Sequence, residues 1–199
     1  SFDKSPSWLY EGIGNAFDKN TARLAVVGDD PLLLSKQDPK KVSRLNKANS
    51  IAYKPAREKI TNFFINWSIV SWPGSKWSKR VFPDLKELDA QSQLAEAIFS
   101  ASRINDEDPV SSWEKHNENL KEKYTWLNNQ NFEFLHYKGP NTDLRVGLAN
   151  NHEWMGGASM ARNGVICNPN IPSEEVFTTP HKDKVEGYVA STKPLSHNG

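Results

Sequence analysis

Two short apolar runs with a long helical pattern between them constrain the first half of the chain most. Ala22–Gly28 reads Ala-Arg-Leu-Ala-Val-Val-Gly and leads into Asp29-Asp30-Pro31, a turn. Phe63–Val70 is the second run, with Trp72-Pro73-Gly74 as its exit. Between them Asp38-Pro39 opens a long polar helix through Val42, Leu45, Ala48 and Ala52, and Pro55 is expected to disturb it near its end. Two buried strands joined by a helix need a crossover connection, so they lie parallel in one sheet with helices on its faces.

The surrounding segments fit that plan. Ser5-Pro6 precedes a first helix with Trp8, Leu9, Ile13, Ala16 and Phe17 on its apolar face. Ser75–Val81 and Leu85–Ser102 read as two more helices, the second with Leu88, Leu94, Ala95, Ile98 and Phe99 on one side. Asp108-Pro109 then caps a helix through Trp113, Leu120, Tyr124 and Leu127.

After Asn128-Asn129 the period changes to two. Phe132, Phe134 and His136 alternate with Glu133, Leu135 and Tyr137, and Gly139-Pro140-Asn141 turns the chain into Leu144, Val146 and Leu148. Further short strands are expected at Val165–Cys167, Glu175–Thr179 and Val185–Val189, and from Leu195 onward. The fold class is therefore α/β: part of an open parallel-sheet amino-terminal domain, residues 1–108, then a connecting helix and a β-rich mixed α+β region, residues 109–199.

Charge and composition exclude several functions. The 25 Lys and Arg against 24 Asp and Glu leave a net charge of +1, so there is no global basic field for nucleic acid or anionic lipid. The basic-aromatic cluster Lys76-Trp77-Ser78-Lys79-Arg80 reads as an amphipathic helix with Trp77 inward and its charges solvated; a strand-stacking nucleic-acid contact is the weaker reading. No apolar run approaches the ~20 residues of a membrane-spanning helix, so no membrane partner is expected. The lone Cys167 excludes an intrachain disulfide framework, reads as a small buried hydrophobe, and points to a cytoplasmic protein.

Familiar catalytic motifs fail informatively. His152-Glu153-Trp154-Met155-Gly156 lacks the second histidine of a one-helix zinc site. Gly12-Ile13-Gly14-Asn15-Ala16-Phe17 imitates a dinucleotide fingerprint, but it lies within a helix and Phe17 replaces the last small residue. Asn66-Trp67-Ser68 is a formal glycosylation sequon inside an expected strand. The five histidines are scattered and individually read as satisfied or surface residues.

The informative segment is Asn170–Thr179, Asn-Ile-Pro-Ser-Glu-Glu-Val-Phe-Thr-Thr, followed by Pro180. Adjacent glutamates in an apolar strand-like run are costly unless paired or liganded. In a strand they face opposite ways, so one is expected buried beside Ile171, Val176 and Phe177. Such a carboxylate is either a metal ligand or general base, or a member of a salt-bridged or edge-exposed pair.

These residues look like the NIPTEEVFTAP signature of the thermophilic-type metallo-aminopeptidases, the aminopeptidase T, aminopeptidase S and PepS group. Gly139–Leu148, Gly-Pro-Asn-Thr-Asp-Leu-Arg-Val-Gly-Leu, is similar to that family's GTDLTVGL segment. The resemblance extends through Trp72–Val81, Val185–Val189 and Lys193–Ser196 and is nearest in character to PepS.

The resemblance implies an α/β amino-terminal domain and a catalytic domain, a homodimer, and release of amino-terminal residues from peptide substrates by water activated on two divalent metal ions. Zinc, cobalt or manganese suits the family's mixed histidine and carboxylate ligands. The first glutamate ligand of the family falls on Glu175, the second of the pair; Glu174 and His181 near it read first as ordinary solvated strand-edge residues, with an outer-sphere or substrate-entry place as the weaker reading. The other ligands and the catalytic tyrosine are expected beyond position 199, so these residues alone are expected to be the inactive middle of a longer enzyme. The competing reading is a noncatalytic α/β module for peptide binding or dimer contacts.

Overall fold

A computed structural model describes residues 2–192. The elements run α1 (Trp8–Phe17), β1 (Arg23–Val27), α2 (Pro39–Thr61), β2 (Trp67–Ser71), α3 (Ser75–Val81), α4 (Glu87–Ala101) and α5 (Pro109–Gln130). Ten-residue and shorter strands follow: β3 (Phe134–Gly139), β4 (Thr142–Leu148), β5 (Met155–Gly156), β6 (Ser159–Met160), β7 (Ile166–Cys167), β8 (Asn170–Ile171), β9 (Val176–Phe177) and β10 (Pro180–Val189). The strand expected from Leu195 onward, like the Lys193–Ser196 part of the resemblance, lies outside the described residues.

The chain divides into two compact units: residues 1–115 with 158–173, and residues 116–157 with 174–199. This differs from a single break between 108 and 109, because 158–173 returns to the first unit. The reason is strand pairing. In the first unit β1, β2 and β8 form a parallel sheet in that order, with Val70 of β2 opposite both Val26 and Ile171. The mixed α/β class expected from the alternating runs is what folds, with antiparallel sheets elsewhere.

The first unit's core forms where α1 crosses α2. Phe17, Ala56, Ile60 and Ile65 are buried together, with Tyr53 and Trp67 packed against them. The Asp38 side chain caps α2 by accepting from the Lys40 amide at 2.9 Å. The helix runs unbroken through Pro55 to Thr61, contrary to the expected disturbance. Its buried residues, Ala48 before the proline and Ala56 and Ile60 after it, hold both sides of the missing ladder bond.

Three other expectations are corrected. The second strand starts at Trp67, not Phe63: Phe63 takes a φ of +52° and, with Phe64, bonds back to Ile60 and Lys59 to close α2. The first strand is not buried, since Leu24 and Val26 are 66% and 60% exposed; β1 is an edge of its sheet among the described residues. Leu88 is exposed, off the face on which the buried Ala90 and Leu94 seat α4.

At the carboxyl ends of β1 and β2 the backbones touch. A Cβ on Gly28 would collide with the Trp72 carbonyl oxygen, and one on Gly74 with the Gly28 carbonyl oxygen. Only glycine allows that approach. Just beyond, Trp77 is half-buried as expected, but Lys79 is not simply solvated: its Nζ donates to the carbonyls of Pro83 and Leu85.

In the second unit β3 and β4 form a hairpin with Asn141 in the left-handed region at φ +53°, and β10 pairs on the far side of β4. Leu120 of α5 and Leu148 of β4 are buried there, with Trp154.

Ile65 is 1% exposed at the centre of the first unit's cluster. Ile65→Ala should therefore destabilise the protein by about 2–5 kcal/mol and Ile65→Val by about 0.5–1.5 kcal/mol, read by urea denaturation. Equal, small losses for both would mean the cluster is not the core of this unit.

Candidate functional site

The glutamate pair lies in the second unit at the entry to β9, just before the strand begins rather than in it. Both side chains are exposed, so the expectation of one buried carboxylate is not met. The cause is that β9 is only two residues long and Glu174 and Glu175 precede its first ladder bonds. What separates them is their partners. Glu174 Oε2 lies 3.6 Å from His116 Nε2 on α5. The Glu175 carboxylate makes no hydrogen bond or ion pair among the described residues.

Glu175 is nevertheless fixed through its backbone. The β5 and β9 strands pair antiparallel, with Gly156 opposite Val176 and Met155 opposite Phe177. A Cβ on Gly156 would lie 2.8 Å from the Glu175 carbonyl oxygen and 3.0 Å from Val176 Cγ1, so the close packing depends on glycine. Thr178 Oγ1 donates to the Glu153 carbonyl at 2.7 Å, extending the same clasp. Asn128 of α5 holds Trp154 at both ends of its peptide unit, donating from Nδ2 to the carbonyl at 3.0 Å and accepting its amide at Oδ1 at 2.8 Å.

A cation needs an oxygen donor that is not already engaged, and the exposed Glu175 carboxylate, carried on a held backbone, is one. It is a single carboxylate, however. No group of three or more His, Cys, Asp and Glu side chains able to hold a metal ion occurs among the described residues. Around Glu175 the described residues thus offer one unengaged carboxylate and no closed set of ligands.

The other sequence candidates fall elsewhere. His181 accepts the Asp183 amide at Nδ1, 3.2 Å away, which ties it into a local turn at the irregular start of β10. Cys167 is half-buried rather than buried, with Sγ 3.7 Å from the Ser159 carbonyl oxygen. His116 was not singled out by its sequence context; only its place on α5 shows it to be the partner of Glu174.

A separate cavity of about 610 Å³ opens in the same unit, lined by β3, β4, the 149–152 loop and the start of β10. Arg145 lies over the Phe134 ring at 3.7 Å from its centre, and His152 is oriented by a 3.0 Å contact from Nδ1 to the Ala149 carbonyl. On the same sheet face His136 Nε2 is 2.7 Å from Asp143 Oδ1, with Lys138 beside it.

With this geometry in view, comparisons place the chain. It matches the thermophilic metalloprotease (M29) family over residues 1–199 and belongs to that family. It is 52% identical to aminopeptidase T of Thermus thermophilus and 49% identical to aminopeptidase T of Thermus aquaticus, each over 99% of this chain and 48% of the relative. Identity with aminopeptidase PepS of Streptococcus thermophilus is lower, 37% over 99% of this chain and 48% of that protein. The solved structure of wild-type AmpT from Thermus thermophilus superposes with a TM-score of 0.86 at 51% identity, covering 98% of this chain and 48% of that one. The chain spans about half the length of the curated relatives it matches.

The His136 contact, and to a smaller extent Lys138, holds the Asp143 carboxyl below the usual aspartate range against the opposing effect of desolvation. Its stabilising contribution is full above about pH 3.9 and fades as pH falls through the lower folded value. Asp143→Asn should therefore lower stability at about pH 7 and by less and less as the pH is taken below about 3.9, followed by denaturant titration at each pH. A difference that grows in acid would have the wrong sign for this contact.

Proposed function

We propose that the whole protein is a metallo-aminopeptidase that releases amino-terminal residues from peptides, with Glu175 as one ligand of a pair of divalent metal ions. The observation that carries the reading is the asymmetry of the glutamate pair. Glu174 is engaged by His116, whereas Glu175 is unpaired among the described residues and sits where the family's signature puts a ligand. Membership of a metalloprotease family and identity with aminopeptidases support the class of reaction.

Zinc, cobalt or manganese suits a centre built from carboxylates and imidazoles. The chemistry such a pair brings when bound is polarisation of the scissile carbonyl and a nucleophile available at neutral pH. In this chain, Glu175 supplies negative charge and an oxygen donor, and the β5–β9 clasp keeps that donor in place. The remaining ligands come from parts of the protein outside this chain. A homodimer acting in the cytoplasm completes the proposal. The lone cysteine is in keeping with a reducing compartment, and no helix among the described residues is long and apolar enough to cross a membrane.

The test uses the full-length protein. Glu175→Ala should lower hydrolysis of an amino-acid p-nitroanilide by more than about 100-fold, a larger loss than that typical of outer-sphere changes, and should lower bound metal measured by elemental analysis. Wild-type metal content and rate in that variant would remove Glu175 from the centre. A full-length wild-type protein without aminopeptidase activity in added zinc, cobalt or manganese would instead favour a noncatalytic peptide-binding module.

A further inference from the structure

We infer that His116 is a positioning residue for the metal ligand Glu175, acting through its contact with Glu174. The inference rests on the reading of Glu175 given above and concerns the helix that fixes it.

The contact joins two segments far apart in sequence. His116 is in the first half of α5, with its side chain 13% exposed, while Glu174 is 59% exposed at the entry to β9. The better-buried imidazole is the more constrained partner, so the helix fixes the glutamate rather than the reverse. Glu174 is bonded directly to Glu175, and restricting one side chain and its backbone restricts the direction in which the next carboxylate leaves the chain.

Two further contacts close a frame around that peptide. On one side Gly156 packs against the Glu175 carbonyl, and β5 pairs with β9. On the other, Gly157 adopts φ +63° and lies so close to α5 that a Cβ would be 2.8 Å from Asn117 Oδ1 and 3.2 Å from Leu120 Cδ1. The helix therefore reaches Glu175 by two routes: through Gly157 and Gly156 to its carbonyl, and through His116 and Glu174 to its amide side. The first route is backbone packing. The second is the one made by side chains, and it holds the residue that directly precedes Glu175.

An ion that binds Glu175 pays for any ordering of this segment. A ligand already held in place gives up less conformational freedom on binding, so losing the His116 contact should weaken metal affinity even though His116 never touches the ion. The same contact also keeps Glu174 from swinging onto the ion in place of its neighbour.

The experiment is isothermal titration of Zn²⁺ and Mn²⁺ into the full-length, metal-stripped protein. It compares wild type with His116→Ala, His116→Gln, Glu174→Ala, the His116→Ala/Glu174→Ala double variant and Glu175→Gln. The expected result is a loss of about 10–100-fold in affinity for His116→Ala and most of that restored in His116→Gln, whose amide reaches the same place beside Glu174. The double variant should lose less than the sum of the two single losses, since the shared contact is removed in each. Wild-type affinity in His116→Ala, or additive losses in the double variant, would overturn the inference while Glu175→Gln still abolishes binding. Wild-type binding by Glu175→Gln would overturn the ligand reading and this inference with it. If His116→Ala does not fold, the Glu174→Ala and His116→Gln proteins decide the matter on the same criteria.

Discussion

The first unit depends on β2. It is the strand hydrogen-bonded on both sides, to β1 along its whole length and to β8 over Ile69 and Val70. The Ile69 amide also donates to the Pro169 carbonyl at 2.8 Å, which seats the incoming end of β8. Parallel pairing of this kind cannot be closed by a turn, and α2 provides the crossover whose inner face buries Ala56 and Ile60. The contact of Gly28 with Gly74 sets how closely the two strands' exits approach, and it admits no side chain. The second consequence of β2 is that β8, within residues 158–173, belongs to a sheet whose other strands lie before residue 72.

The second unit applies a different constraint to a different end. Short strands contribute few ladder bonds, so β5 and β9 hold their register by close backbone packing at Gly156 and by α5 on the outer side. An exposed carboxylate placed on such a rigid support, with no partner of its own among the described residues, is a poor contributor to stability and a good acceptor for a cation. Its neighbour Glu174 is the same residue type and is exposed as well, yet it lies beside His116. Two identical side chains thus stand in different surroundings because of one histidine on a helix.

Much of the fold was legible because local signals determined it. Asp38 and Asp108 cap α2 and α5 by accepting backbone amides, and both helices begin where those residues and their prolines say they should. The β3–β4 hairpin follows from strict alternation and a Pro-Asn turn. Non-local facts were not legible. An apolar run such as Leu24–Val27 cannot say whether its strand lies at an edge or in the interior, and Asn170-Ile171 carries no pattern that announces β2 as its partner. The glutamate pair shows both cases together: its motif located the candidate ligand, whereas the exposure of both side chains and the part played by His116 required α5 to be in place.

The central claim is that Glu175, and not Glu174, offers its carboxylate to a metal ion. The most direct measurement is anomalous diffraction at the manganese or zinc edge from crystals of the full-length protein grown with that ion. The account predicts an anomalous peak at about 2.0–2.2 Å from a Glu175 carboxylate oxygen, with Glu174 still turned toward His116. A peak bound by Glu174 with Glu175 unliganded, or a peak distant from both, would contradict it.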